Sequence, residues 1–268
     1  MLLPVCFAGV SQTYNQWLDL AGVHIEGNRF DSAAVALQRA MALDPSNENN
    51  PVLLLNLGIL QRQSGLYDDA FISLTASMAN NPLAEAALYN RASLLCDMER
   101  FDEAMDDYNT LIRNYPESVE AYYRRGLLFL EKNDRAAAEA DFKASEAIDR
   151  ENVYTKLSRA LLCKLDDDWE GAERIYTELI QSSSSTAVDP GFYMGRAECY
   201  VNTEQLFKAS ADLRVVEKSQ RENPYFHILR GRVRLGQFDK VAARADFRTA
   251  LELGYDAGIV ADWLKKTE

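Results

Sequence analysis

Histidine is nearly missing from this chain: only His24 and His227 occur in 268 residues. Cys6, Cys96, Cys163 and Cys199 stand far apart with no CxxC pair, so neither a zinc site nor a disulfide framework is written here. The thiols read as buried structural residues. No GxSxG, P-loop or HExxH occurs. The acids Asp166, Asp167 and Asp168 sit at a turn before Trp169, where carboxylates solvate a loop and begin a helix. An enzyme is therefore the least favoured class, and no catalytic residue, metal or cofactor is expected. No apolar run reaches the length of about 18 residues that a membrane span needs. Basic side chains are also in deficit, 29 against 41 acidic ones. The resulting charge of -12 repels phosphate backbones and anionic head groups, which argues against nucleic acid and against membrane insertion. With 47% hydrophobic residues and seven prolines the chain has ample apolar surface to bury and is not disordered.

The N-terminal stretch MLLPVCFAGVSQ carries no charge, and the first basic residue is Arg29. Gly9 and Ser11 have the spacing a signal peptidase prefers. Residues 1–13 thus read either as the tail of a secretory signal that lacks its basic start or as an apolar strap on the first helix. The first reading implies a periplasmic or otherwise exported protein beginning near Gln12 or Thr13, the second a cytoplasmic one.

Repetition dominates the rest. From Glu85 to Pro116, Leu88, Ala92 and Leu95 recur at helical spacing, Phe101 follows a break, and Ala104, Tyr108 and Leu111 recur again, which is one helix-turn-helix unit. The same order of side-chain sizes divides the chain into 14–50, 51–84, 85–118, 119–152, 153–189, 190–223 and 224–254. Starts at Tyr14, Pro51, Glu85, Val119, Val153, Pro190 and Pro224 differ by 37, 34, 34, 34, 37 and 34. The two longer steps fall at polar loops, SNEN after Pro45 and SSSST after Gln181. Thr13, Asn50, Ser118, Asn152, Asp189 and Asn223 precede six of the starts and can each cap a helix; only Ala84 cannot. Ala21, Gly58, Ala92, Gly126, Ala160, Ala197 and Gly231 keep one position of the first helix small, and Ala33, Ala70, Ala104, Ala138, Ala172, Ala209 and Ala243 keep one of the second small. Paired helices can then approach closely, and neighbouring pairs must stack to bury their faces. In residues 255–268, Ile259, Val260, Trp263 and Leu264 form one stripe, expected to cap the last pair.

This pattern, from Tyr14 to Gly254, resembles the tetratricopeptide repeat (TPR) family. The resemblance implies an all-α, right-handed α-α superhelix, a TPR solenoid of seven helix-turn-helix repeats with a C-terminal capping helix. It also implies a concave groove lined by the first helices. The fifth positions on that face are Leu18, Leu55, Tyr89, Tyr123, Leu157, Met194 and Ile228, with Ile59, Leu127 and Leu161 at the ninth, Tyr154 and Tyr225 at the second, and Asn56, Asn90 and Arg124 at the sixth. An exposed face this apolar is a candidate partner-binding strip; the competing reading is that neighbouring first helices bury it between them. The family's clamp for a C-terminal carboxylate needs Lys at the fifth and Asn at the ninth position, which Leu18 with Gly22 and Leu55 with Ile59 do not supply.

Arg91, Arg125, Arg159, Arg196 and Arg230 recur beside the small residue, and Asp107, Asp141, Asp212 and Asp246 follow four of them by 16 residues. The matched acids point to a structural ion-pair ladder rather than an anion-binding stripe, Arg125 pairing with Asp141 or with Asp107 one repeat earlier. The function expected is a non-catalytic scaffold holding a protein or peptide in the groove, its ligand an extended or helical segment with apolar anchors. The alternative is a self-assembly module forming a homo-oligomer.

Overall fold

A computed structural model describes residues 12–79, 81, 84–183 and 188–268. The apolar N-terminal segment up to Ser11, with Cys6, lies outside the described residues, as do Pro82 and part of the SSSST run. Among the described residues there are fifteen helices and no strand. They are α1 (Tyr14–Glu26), α2 (Phe30–Leu43), α3 (Asn50–Gln63), α4 (Tyr67–Ser77), α5 (Glu85–Asp97), α6 (Phe101–Asn114), α7 (Val119–Glu131) and α8 (Arg135–Ile148), then α9 (Val153–Leu165), α10 (Trp169–Ser182), α11 (Pro190–Asn202), α12 (Leu206–Gln220), α13 (Pro224–Gly236), α14 (Lys240–Glu252) and α15 (Ala257–Lys265). The chain forms two compact units, one ending at Asp141 and one beginning at Phe142.

Capping accounts for most helix starts. Thr13 accepts from the Gln16 N–H while the Gln16 side chain accepts from the Thr13 N–H, and Asn152, Asp189 and Asn223 accept from Tyr154, Gly191 and Tyr225. Two expected caps are not made. The Ser118 side chain caps nothing, and Asn50 lies inside α3, where its amide donates to the Asp44 carbonyl at 2.9 Å and its oxygen accepts from the Tyr14 hydroxyl at 3.3 Å. Its side chain is spent on holding the preceding loop. Asp168 and Asp239 cap second helices, α10 and α14.

The small columns have a steric cause. A Cβ on Gly58 would stand 2.6 Å from Leu74, and one on Gly231 would stand 2.5 Å from the Phe247 ring. In each case the second helix of the pair has filled the space with a large side chain, so helix separation is set by the missing methyl. Between paired helices the turn contains a residue with left-handed φ: Asn28, Gly65, Glu99, Asn133, Asp167, Glu204 and Phe238. Asn, Asp and Gly tolerate this conformation; Phe238, at φ 66°, does not. Phe238→Gly should therefore stabilise the protein by roughly 0.5 kcal/mol, the relief of φ strain outweighing the added chain entropy of glycine. A melting temperature that falls in the variant would show that the ring has a packing role.

In the first unit the core runs through Ala21, Leu37, Leu57, Leu74, Leu88, Leu95, Tyr108 and Leu111. The second unit buries Tyr176, Leu179, Phe226, Leu229, Phe247 and Val260. The last helix, α15, seals α14: Val260 is fully buried, and the Trp263 ring stacks on Phe247 with centroids 5.8 Å apart. Ile259 is exposed, so the capping stripe is narrower than its periodicity suggests.

Candidate functional site

In the first unit, α3, α5, α6 and α7 surround a cavity of about 500 Å³. Phe101, Leu127 and Leu128 give it apolar walls, Ser93, Cys96 and Tyr108 give polar groups, and Asp97, Glu99 and Glu131 are exposed acids around it. Tyr89 and Arg124 line it together: the Tyr89 hydroxyl donates to Glu120, and Arg124 Nη2 donates to the same carboxylate oxygen at 3.2 Å. Burial, and then the bond to Glu120, raises the Tyr89 pKa, so the phenol stays a donor. Burial works against charge on Arg124, but Tyr89 and Glu120 outweigh it and keep the guanidinium firmly cationic. The Tyr123 ring lies 5.7 Å from that guanidinium. Arg62 and Asp97 form an ion pair on the same lining.

Of the residues expected on this face, Tyr89, Tyr123 and Arg124 meet. Leu18 and Leu55 are partly buried against core clusters, Asn56 is exposed, and Asn90 turns back to donate to the Ala86 carbonyl at 2.7 Å. Glu120, Arg62 and Cys96 were missed although a signal existed. Glu120 holds the second position of its repeat and Arg62 and Cys96 the twelfth, both positions on the same face as the fifth-position strip.

In the second unit Tyr154 and Leu157 are half-buried, but Met194 and Ile228 are only 6% and 3% exposed and cannot line an open groove. Met194 shares a buried cluster with Phe226 and Leu229 of α13, and Ile228 one with Phe247 and Val260. Tyr225 stacks on Tyr255 at 6.2 Å, and burial raises its pKa. Here α11 and α13, first helices of successive pairs, touch, so the apolar strip becomes helix-packing surface.

The arginines pair within their own helix pair. Arg91 donates to both oxygens of Asp107 at 2.8 and 2.7 Å, Arg125 to those of Asp141 at 2.8 and 2.7 Å, and Arg196 to those of Asp212 at 2.8 Å. Arg230 places Nε and Nη2 on Asp246 Oδ1. Arg125 does not reach Asp107: its remaining Nη1 donates instead to Asn109 of the preceding pair at 2.7 Å, as that of Arg91 does to Thr75 at 3.5 Å and that of Arg196 to Thr177 at 3.2 Å. Ile175 stands 16 residues beyond Arg159, whose Nε lies 3.9 Å from Glu146. Cys96, Cys163 and Cys199 are free thiols, and burial pushes that of Cys199 up to about 12. No helix among the described residues is long and apolar enough to cross a membrane.

The tetratricopeptide repeat family model matches residues 89–152. A solved tetratricopeptide repeat protein from Parabacteroides merdae is 32% identical with a TM-score of 0.70, over 95% of this chain and 98% of that one. The chain belongs to the tetratricopeptide repeat family. Its all-α solenoid fold is one of protein-protein interaction scaffolds, and the family is typically non-catalytic. It is also 27% identical over 47% of its length to a DnaJ homolog subfamily C member 7 homolog of Dictyostelium discoideum, and 24% over 74% to a Lipoprotein NlpI homolog of Haemophilus influenzae. It spans 26% and 63% of the lengths of those two proteins.

Proposed function

We propose that this tetratricopeptide repeat protein is a scaffold without catalysis of its own, and that the cavity of its first unit receives a side chain of a peptide or protein partner. The observation that carries the reading is the Tyr89–Glu120–Arg124 network on the wall of a cavity of about 500 Å³. A volume in that range holds a drug-sized group, and a few placed polar atoms among apolar walls give it orientation. Tyr123, with Asn90 next to Tyr89 in sequence, extends the proposed contact surface. In the second unit, Tyr154 and Leu157 are half-buried and are proposed as further contact residues.

Aromatic side chains at the centre of an interface exclude water and lose little rotamer entropy, so Tyr89 is expected to carry much of the affinity. Against a partner isolated from the native cell, Tyr89→Ala should weaken binding by about 1–3 kcal/mol in calorimetric titration while the helical circular dichroism persists. Tyr89→Phe, which keeps the ring and frees Glu120, separates the hydroxyl from the ring. Unchanged affinity in both variants, with both folded, would remove the cavity from the binding surface.

A further inference from the structure

A second cavity, of about 260 Å³, lies between α12 and α13 in the second unit, and its charge differs from the rest of the ladder. Arg214 and Glu217 of α12 line it with Arg230 and Arg234 of α13 and Gln237 just beyond. Buried Asp246 accepts from Arg230 at 2.8 Å through one oxygen and from Arg234 at 2.8 Å through the other, and Arg230 also reaches Glu217 at 2.6 Å. Three guanidinium groups thus face two carboxylates.

The excess arises from two departures in register. Thr75 and Asn109, each 16 residues before a ladder arginine, are neutral acceptors for Arg91 and Arg125, and Thr177 does the same for Arg196. The residue 16 before Arg230 is Arg214, a cation where the rungs of Arg91 and Arg125 place a neutral acceptor, as Lys143 is before Arg159. Its Nε donates to the Ser210 carbonyl at 3.3 Å. Arg234 stands where earlier pairs have Tyr200, Cys163, Phe129 and Leu95. Residues 206–252 carry ten Lys and Arg against six Asp and Glu, a net of +4 in a chain of -12.

Large apolar side chains stand at one end of this cationic groove. The Glu217–Arg230 pair sets α12 against α13, so that seven residues along each chain Ser210 comes opposite Gln237. Phe207 lies one turn before Ser210 on the same face of α12, and Phe238 follows Gln237. Phe207, Phe238 and Val241 are 85%, 91% and 85% exposed. Earlier pairs place Asp31, Asp68, Asp102 and Glu170 in the register of Phe207 and Val241. Large apolar side chains held in solvent together are unfavourable, and such a cluster marks an interaction surface.

We infer that the α12/α13 groove docks an acidic segment of a partner protein, with carboxylates on Arg214, Arg230 and Arg234 and an apolar side chain against Phe207 and Phe238. Arg supplies forked donors suited to carboxylates, and the rings supply the desolvated anchor. This surface is separate from the cavity of the first unit.

The test uses the full chain and a fluorescein-labelled dodecapeptide with Phe and Leu one helical turn apart, flanked by Glu, beside a version with Lys for every Glu. In fluorescence anisotropy the Glu peptide should bind and the Lys peptide bind at least about tenfold more weakly. Arg214→Glu and Phe238→Ser should each lower the affinity for the Glu peptide by about tenfold, and Tyr89→Ala should leave it unchanged. Arg214 and Phe238 are exposed and outside the Asp246 pairs, so neither change threatens the fold. Equal binding of both peptides, no binding of the Glu peptide at millimolar concentration, or unchanged affinity in Arg214→Glu would overturn the proposal. So would loss in Tyr89→Ala, which places the peptide in the first unit. Self-association abolished by Phe238→Ser, without peptide binding, would assign the surface to a second copy and overturn it too.

Discussion

Asp246→Ala should lower the stability of the second unit by about 3 kcal/mol. The carboxylate is 2% exposed and is the shared acceptor of Arg230 and Arg234, with His227 Nδ1 3.7 Å away. Removing it leaves Arg234 without this acceptor and Arg230 with Glu217 alone, and the loss from breaking such a pair exceeds what the intact pair contributes. The effect belongs at the low end for buried pairs because the Arg230 and Arg234 side chains are 23% and 35% exposed and water can reach them. Asp246→Asn, which keeps the shape and one acceptor, should lie between wild type and Ala. Hydrogen exchange in α13 and α14 reads the change directly, which suits a stacked-repeat chain whose unfolding is not all-or-none. A loss well under about 1 kcal/mol would place these charges in effectively aqueous surroundings.

Phe247→Ala should be larger still, about 3–5 kcal/mol, through loss of transfer energy and the void left behind. The ring is fully buried, fills the space left by the absent Cβ of Gly231, and carries Trp263 of α15 on its face. With the platform gone, α15 should detach and Trp263 fluorescence shift to the red. Gly231→Ala alone should also destabilise, since its methyl would sit 2.5 Å from the ring. Gly231→Ala combined with Phe247→Leu should be milder than the sum of the two, because each change makes room for the other. Strict additivity would mean that the two positions do not share the space that sets the helix separation.

What the chain discloses without coordinates is whatever depends on near neighbours in sequence. Alternation of helix and turn, the caps Thr13, Asn152, Asp189 and Asn223, and the glycine and alanine columns were legible because a helix start is decided within four residues and a helix face repeats every 3.6. The arginine-aspartate spacing was legible for the same reason, as both residues sit in one hairpin. Asn50 was misjudged because its partners, Tyr14 and the Asp44 carbonyl, come from the preceding pair.

Tertiary structure alone decided which part of the inner strip is open. Met194, Ile228 and Tyr89 share one register position, yet the first two are buried while Tyr89 lines a cavity. Burial of that position depends on how closely successive first helices pack, which is a property of neighbouring pairs rather than of the residue. Only coordinates show Glu120 serving both Tyr89 and Arg124, or Asp246 shared by two arginines. Periodicity orders residues within one helix pair; the packing of side chains between pairs settles which surfaces remain for a partner.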